Sequence, residues 1–173
     1  MKLGDIMILM YVRHGDSIGD VLTELGKKQC ELMVCGDEKY DFAKIYCSVT
    51  NRCKTTAKYL SDKYNLETEF VKGVKDRELL NRDPETAEEK EWYVNYLNKN
   101  FSNNKPEGCK EFLERNFKEF DRIIENHKGK NENVILVAHS STFYALQEYF
   151  NRSVGDEIKY YRVSNCARVY FEI

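Results

Sequence analysis

Hydrophobic positions along this chain fall into short blocks of two kinds. Residues 6 to 12, IMILMYV, are apolar without a break and have polar neighbours on both sides, the pattern of a strand buried on both faces. KIYCS (44–48), ETEFV (67–71), NVILVA (133–138) and CARVYFEI (166–173) predict four more strands, with ETEFV a short edge strand. Between these blocks the period lengthens. Cys53, Ala57, Leu60 and Tyr64 recur at helical spacing over 51–64, and Leu113, Phe117, Phe120 and Ile124 do so over 108–127, where Gly129 follows as a stop. Thr23 stands where a helix over roughly 24–34 needs its cap. A short helix is predicted over 141–150. Pro84, followed by ETAEE, suits the first turn of a helix reaching about 98, and NKNFSNNKPEG reads as a loop.

Strands that alternate with helices argue for a three-layer α/β/α sandwich with a mostly parallel central sheet. A length of 173 residues fits one domain over 1–173. Ligands of such sheets bind outside the carboxyl ends of the strands. Arg13 and His14 lie where the first strand exits, His139 and Ser140 where NVILVA exits, and Ser48 and Arg52 just past KIYCS. Three separated segments therefore deliver polar groups to one rim.

Composition narrows the classes. Net charge is −2, from 27 basic and 29 acidic residues with no block of one sign, so neither a nucleic-acid backbone nor an anionic membrane is an expected partner. No stretch approaches the ~20 apolar residues of a membrane span, and the seven apolar residues at 6–12 run directly into Arg13 without a small-residue cleavage site. Six cysteines include no Cys-x-x-Cys pair, which argues against a thiolate metal site or redox motif. The reading is a reduced, cytoplasmic protein whose cysteines act as small hydrophobes.

The chemistry follows from the rim. Two arginines and two histidines would make a strongly positive pocket, and guanidinium forks match phosphate oxygens. Arg52 falls in the first turn of its helix, where free N–H groups favour an anion, and the helix after His139 would aim Ser140 and another positive end at the same place. A neutral imidazole can attack phosphorus if its other nitrogen has a fixed acceptor. A second, protonated histidine would neutralise the transferring oxygens, and a carboxylic acid would protonate the leaving alcohol. The scheme requires no metal or other cofactor. His127 continues the helical stripe near a helix end and reads as structural. Cys47 precedes Arg52 by a spacing one residue too short for a cysteine phosphatase loop, and no glycine lies between them to let backbone N–H groups close on an anion.

These residues also carry a resemblance. YVRHGDS resembles the Arg-His-Gly signature of the histidine phosphatase superfamily, the phosphoglycerate mutase-like family. DVLTELGKKQ (20–29) is similar to its Leu-Thr-x-x-Gly-x-x-Gln element, IYCSVTNRCKTTA (45–57) to its Ser…Arg…Thr-Ala segment, and VILVAHSSTFYALQ (134–147) to the segment with the second histidine. PEGCKEFLERNFKEF resembles the long helix before that segment, and NCARVYF the final strand. The resemblance implies a phosphoglycerate mutase-like fold and a metal-independent phosphatase. Its substrate would be a small phosphomonoester or a protein phosphohistidine, and it would act through a phosphohistidine at His14. It implies that Arg13 and Arg52 bind phosphate and that His139 completes the pocket. The proton donor would be Glu78, in a context where the family's preceding Leu is replaced by Asp76, with Asp83 the second candidate. Aromatic residues of the region at about 80–106, Trp92, Tyr93, Tyr96 and Phe101, are either ordinary packing or a lid insertion over the leaving group. Only six residues separate Gly15 from Leu22, which argues against a glycolytic mutase. The alternatives are a phosphoglycerate mutase and a regulatory module that holds a phosphorylated ligand without turnover.

Overall fold

The computed structural model describes residues 6–36, 39–77, 109–150 and 163–173. Eleven elements follow in chain order within them: β1 (Ile8–Arg13), β2 (Ser17–Ile18), β3 (Val21–Leu22), α1 (Glu24–Val34), β4 (Phe42–Ser48), α2 (Asn51–Tyr64), β5 (Thr68–Val71), α3 (Cys109–His127), β6 (Asn133–Ala138), α4 (Ser140–Tyr149) and β7 (Arg168–Glu172). The helix from Pro84, the loop after it, the region at 80–106, Glu78 and Asp83 lie outside the described residues.

Five strands form one sheet in the order β5-β4-β6-β1-β7. β1, β4, β5 and β6 run parallel, and β7 runs antiparallel along β1. Side chains of β1 alternate between two cores, as a strand covered on both faces requires. Leu9 and Tyr11 join Phe112, Phe120, Ile123, Phe143 and Leu146 on the side of α3 and α4. Met10 and Val12 join Met33, Cys53, Ala57 and Leu60 on the side of α1 and α2. The result is the mostly parallel three-layer arrangement expected from the sequence.

Helix boundaries have local causes. Thr23 caps α1 by accepting a hydrogen bond from the Gly26 N–H at 3.0 Å. α2 stops at Asn65, whose left-handed backbone (φ 53°) lets its own N–H and that of Leu66 close on Ser61 O. In α3 the fully buried line is Phe112, Asn116, Phe120, Ile123 and His127. It is rotated one step from the apolar stripe of the sequence. Asn116 tolerates burial because its amide donates to Phe112 O at 2.8 Å. Leu113 and Phe117 are half-buried, and Phe117 lies edge-on to Tyr149 of α4 at 5.3 Å.

The hairpin β2–β3 was not legible in the sequence. It places the Gly19–Asp20 turn beside the start of α2, with Gly19 at φ 57°.

Candidate active site

β1, β6 and β4 are neighbours in the sheet, so their carboxyl ends are adjacent. His14 follows β1 and His139 follows β6, and the rings stand 5.3 Å apart at 64°, both buried. Arg52, in the first turn of α2, brings Nη2 within 3.2 Å of His139 Nδ1. Ser48, the last residue of β4, meets His139 Nε2 at 2.9 Å.

Backbone contacts hold His14. Its N–H donates to Ala138 O, its carbonyl accepts from Asn165 Nδ2 at 2.9 Å, and the next N–H, of Gly15, donates to Thr56 Oγ1 at 3.0 Å. Nδ1 lies 2.7 Å from Gly15 O. A carbonyl only accepts, so Nδ1 carries the hydrogen and Nε2 keeps its lone pair. Burial, helped by the charges of Arg52 and Arg13, pushes the His14 pKa down from 6.5 to about 4, against the pull of Gly15 O and Asp76. The ring is therefore neutral at neutral pH.

Helix α1 seats this loop by direct backbone approach. A Cβ on Gly26 would stand 2.0 Å from Asp16 O, and one on Gly15 would meet Gly26 O at 2.8 Å and Cys30 Sγ at 3.1 Å. Two hydrogen-sized side chains therefore let β1 turn against α1.

His139 is held by side chains instead. Arg52 Nη2 only donates, so Nδ1 of the neutral ring accepts and Nε2–H donates to Ser48 Oγ. Burial lowers its pKa to about 3. Arg52 and His14 add to the shift, while Asp76 opposes it. The His139 carbonyl accepts from Tyr11 Oη at 2.7 Å.

Two carboxylates absent from the sequence-based site enter here. Asp76 Oδ2 accepts from Arg52 Nη2 at 2.8 Å and lies 3.5 Å from His139 Nδ1, while Oδ1 accepts from Ser141 Oγ at 2.5 Å. Burial opposes ionisation of Asp76, yet His139, Ser141 and Arg52 together hold its carboxyl below the usual range. Asp20 accepts from the N–H groups of Asn51 and Arg52 at 2.9 and 3.2 Å. The free helix terminus expected to bind phosphate is thus already capped by a carboxylate of the protein itself.

The strongly positive pocket expected from the sequence is corrected accordingly. Asp20 and Asp76 both face Arg52, and both imidazoles are neutral. Unit charges ~4 Å apart interact by roughly 4 kcal/mol at a protein-surface dielectric. The two carboxylates therefore offset much of the Arg52 guanidinium's attraction for an incoming anion, Asp20 less than Asp76 because it is more exposed, at 44% against 38%, and better screened.

Arg13 is placed differently from Arg52. Its Nη1 donates to Val163 O at 2.5 Å, while its charge still acts on His14. Ser140 begins α4 with its hydroxyl buried and, among the described residues, unpartnered, and Ser141, not Ser140, contacts Asp76. Glu78 lies outside the described residues, two positions beyond Asp76. His127 is bonded to Tyr46 Oη at 2.8 Å and Glu132 Oε2 at 2.7 Å, outside this cluster. Cys47 is buried, which pushes its thiol up, away from a nucleophile's range. Among the described residues, no group of three or more His, Cys, Asp and Glu could hold a metal ion, and no helix is long and apolar enough to cross a membrane.

A mostly parallel sheet with a histidine at the exits of two adjacent strands is a phosphoglycerate mutase-like architecture. Residues 9–173 match the histidine phosphatase superfamily (branch 1), and the chain belongs to that family. A comparison with curated protein sequences finds no match. Solved structures share the fold. Bacillus stearothermophilus YhfR superposes with a TM-score of 0.75 at 17% identity, over 95% of this chain and 90% of that one. The mycobacterial glucosyl-3-phosphoglycerate phosphatase gives 0.72 at 17%, over 95% and 89%. Entamoeba histolytica phosphoserine phosphatase, in complex with 3-phosphoglyceric acid, gives 0.75 at 18%, over 95% and 90%.

Proposed function

We propose that the protein is a metal-independent phosphatase that hydrolyses small phosphomonoesters through a phosphohistidine at His14. The observation that carries this reading is the His14 ring itself: neutral, with Nδ1–H fixed on Gly15 O and Nε2 left as a lone pair, 5.3 Å from His139 and within the field of two arginines.

In the first step the Nε2 lone pair attacks phosphorus and the bond to the alcohol oxygen breaks. The alcohol leaves with a proton from a carboxyl group on the segment after β5, where Glu78 and Asp83 are the sequence candidates. Arg52 and Arg13 bind the phosphoryl oxygens, Arg13 after exchanging its bond to Val163 O, and His139 stands beside them as a charge-stabilising group. Ser140 Oγ, buried without a partner among the described residues, supplies one further donor. In the second step water gives a proton to that carboxylate and attacks phosphorus, the N–P bond breaks, and phosphate leaves with the carboxylic acid restored. Family membership supports phosphoryl transfer, and structural neighbours named as phosphatases of phosphoserine and glucosyl-3-phosphoglycerate support a small phosphomonoester as substrate. The short segment between Gly15 and Leu22, folded into the hairpin β2–β3, favours hydrolysis over mutase chemistry.

The test is hydrolysis of an aryl phosphate in the presence of EDTA, with inhibition by vanadate. Activity in EDTA that disappears in His14→Ala is the expected result. Full activity in that variant would overturn the proposal.

A further inference from the structure

Asp76 stands in an unusual place for a carboxylate, beside a site built for an anion, and the hydrogen positions around it are determined. Arg52 Nη2 carries two hydrogens. One goes to Asp76 Oδ2 at 2.8 Å, and the other points to His139 Nδ1 at 3.2 Å. Both recipients are acceptors, and they lie 3.5 Å from each other. The nitrogen donor between them is what keeps two lone pairs close together, one on a buried ring and one on a half-buried carboxylate. His139 cannot turn to another partner, because Nε2–H is bound to Ser48 Oγ. Asp76 is likewise fixed by Ser141 Oγ on its other oxygen.

Nη2 is the Arg52 nitrogen beside His139, and a phosphoryl group gripped through it takes its hydrogens. Nδ1 and Oδ2 would then face each other with no hydrogen between them, next to a dianion. One proton resolves the conflict: placed on Nδ1 and directed to Oδ2, it satisfies both acceptors and turns His139 into a cation beside the phosphoryl oxygens.

We propose that Asp76 couples phosphoryl binding to the uptake of one proton, held between Asp76 Oδ2 and His139 Nδ1. This rests on the reading of the site as a phosphoryl pocket. Asp76 is a positioning residue in this scheme, since it acts through His139 and Arg52. The groups that face the pair are Arg52 and Cys53 from α2, Ser48 from β4, His14 from the exit of β1, Asp20 from the β2–β3 turn, Ser141 from α4, and Arg115 from α3, which donates to the Asp76 carbonyl. Of these, His14 is the other group able to take the proton. The burial that lowers the His139 pKa without ligand leaves the proton absent until the anion arrives.

Tungstate is the probe, because it stays a dianion around neutral pH and any proton taken up belongs to the protein. Calorimetry in two buffers of different ionisation enthalpy counts the protons. For the wild type, uptake of about one proton is expected, with affinity falling about tenfold for each unit of rising pH. Asp76→Asn, whose amide can donate to Nδ1, should bind tungstate with little pH dependence and no uptake. Asp76→Glu, which keeps the carboxylate, should retain uptake. Nitrogen NMR of the labelled wild type should show His139 becoming imidazolium on tungstate binding.

Wild-type binding without proton uptake would overturn this inference and leave the phosphatase reading standing, as would uptake that persists in Asp76→Asn or appears on His14. Failure of the wild type to bind tungstate would remove both.

Discussion

The exits of β1 and β6 lie side by side and each ends in a buried histidine, yet the two are held by different means. His14 is fixed chiefly by main chain: Gly15 O on its ring, Ala138 O on its N–H, and the close pass of Gly26 beneath the loop, with the Asn165 side-chain amide on its carbonyl. His139 is fixed by side chains that carry or share charge: Arg52, Asp76 and Ser48. Backbone partners do not titrate and hardly move. A ring held by them keeps one tautomer through a reaction, as a nucleophile must. Side-chain partners can change protonation and follow a ligand, which suits a group that must become charged and then neutral again. One geometry thus divides into a rigid half and a responsive half.

Breaking the halves separately sharpens this contrast. The largest effect is expected from His14→Ala, with kcat/KM on an aryl phosphate falling at least about a thousandfold. His139→Ala should fall by roughly a hundredfold or more while retaining measurable turnover, as loss of one group that stabilises transition-state charge does. Equal residual rates would erase the distinction. Gly26→Ala attacks the rigid half at a distance. Its Cβ would stand 2.0 Å from Asp16 O, so the loop must shift, and a stability loss of about 1–3 kcal/mol in urea is expected together with lower kcat. An unchanged denaturation midpoint would argue that the contact is loose.

Ser48→Ala loosens the responsive half alone. It should lower kcat/KM about tenfold, the scale of one hydrogen bond, and change the alkaline side of the pH profile while leaving the acid side in place. The smallest effect is in the acid limb. The neutral His14 ring is the reactive form, so activity persists above its folded pKa and is lost as pH falls through it. With that value lowered from 6.5 to about 4, the limb of kcat/KM should lie near pH 4, and a limb at 6.5 would contradict the burial argument. The same shift acts on stability. Unfolded histidine binds a proton below 6.5 and buried His14 does not, so folding should weaken as pH falls from 6.5 towards 4. The slope is at most about 1.4 kcal/mol per pH unit for this ring.

The fold was legible because its signals are local. Unbroken apolar runs marked β1 and β6, the period of Cys53, Ala57 and Leu60 marked α2, and Thr23 marked the start of α1. His14, His139 and Arg52 were legible because strand exits share an edge in a parallel sheet. What the sequence hid depends on tertiary placement. Asp76 sits in the mixed-charge run KDRE, which reads as solvated surface, and only the return of the chain after β5 brings it to Arg52. No pattern in the sequence says that the Asp20 carboxylate caps a helix 31 residues later. The rotated face of α3 was hidden by Asn116, a buried polar residue whose amide nitrogen bonds within its own helix. The departure from the family's pattern just before Glu78, Asp76 in place of Leu, was the one visible trace of the charge-balanced site.

The central claim is covalent transfer to one ring nitrogen, and rapid mixing with an aryl phosphate followed by alkaline quench and peptide mapping tests it most directly. The account predicts a transient phosphate, stable to base and labile to acid, on the peptide that contains His14. A burst of product with no phosphopeptide, or with the label on any other residue, would contradict it.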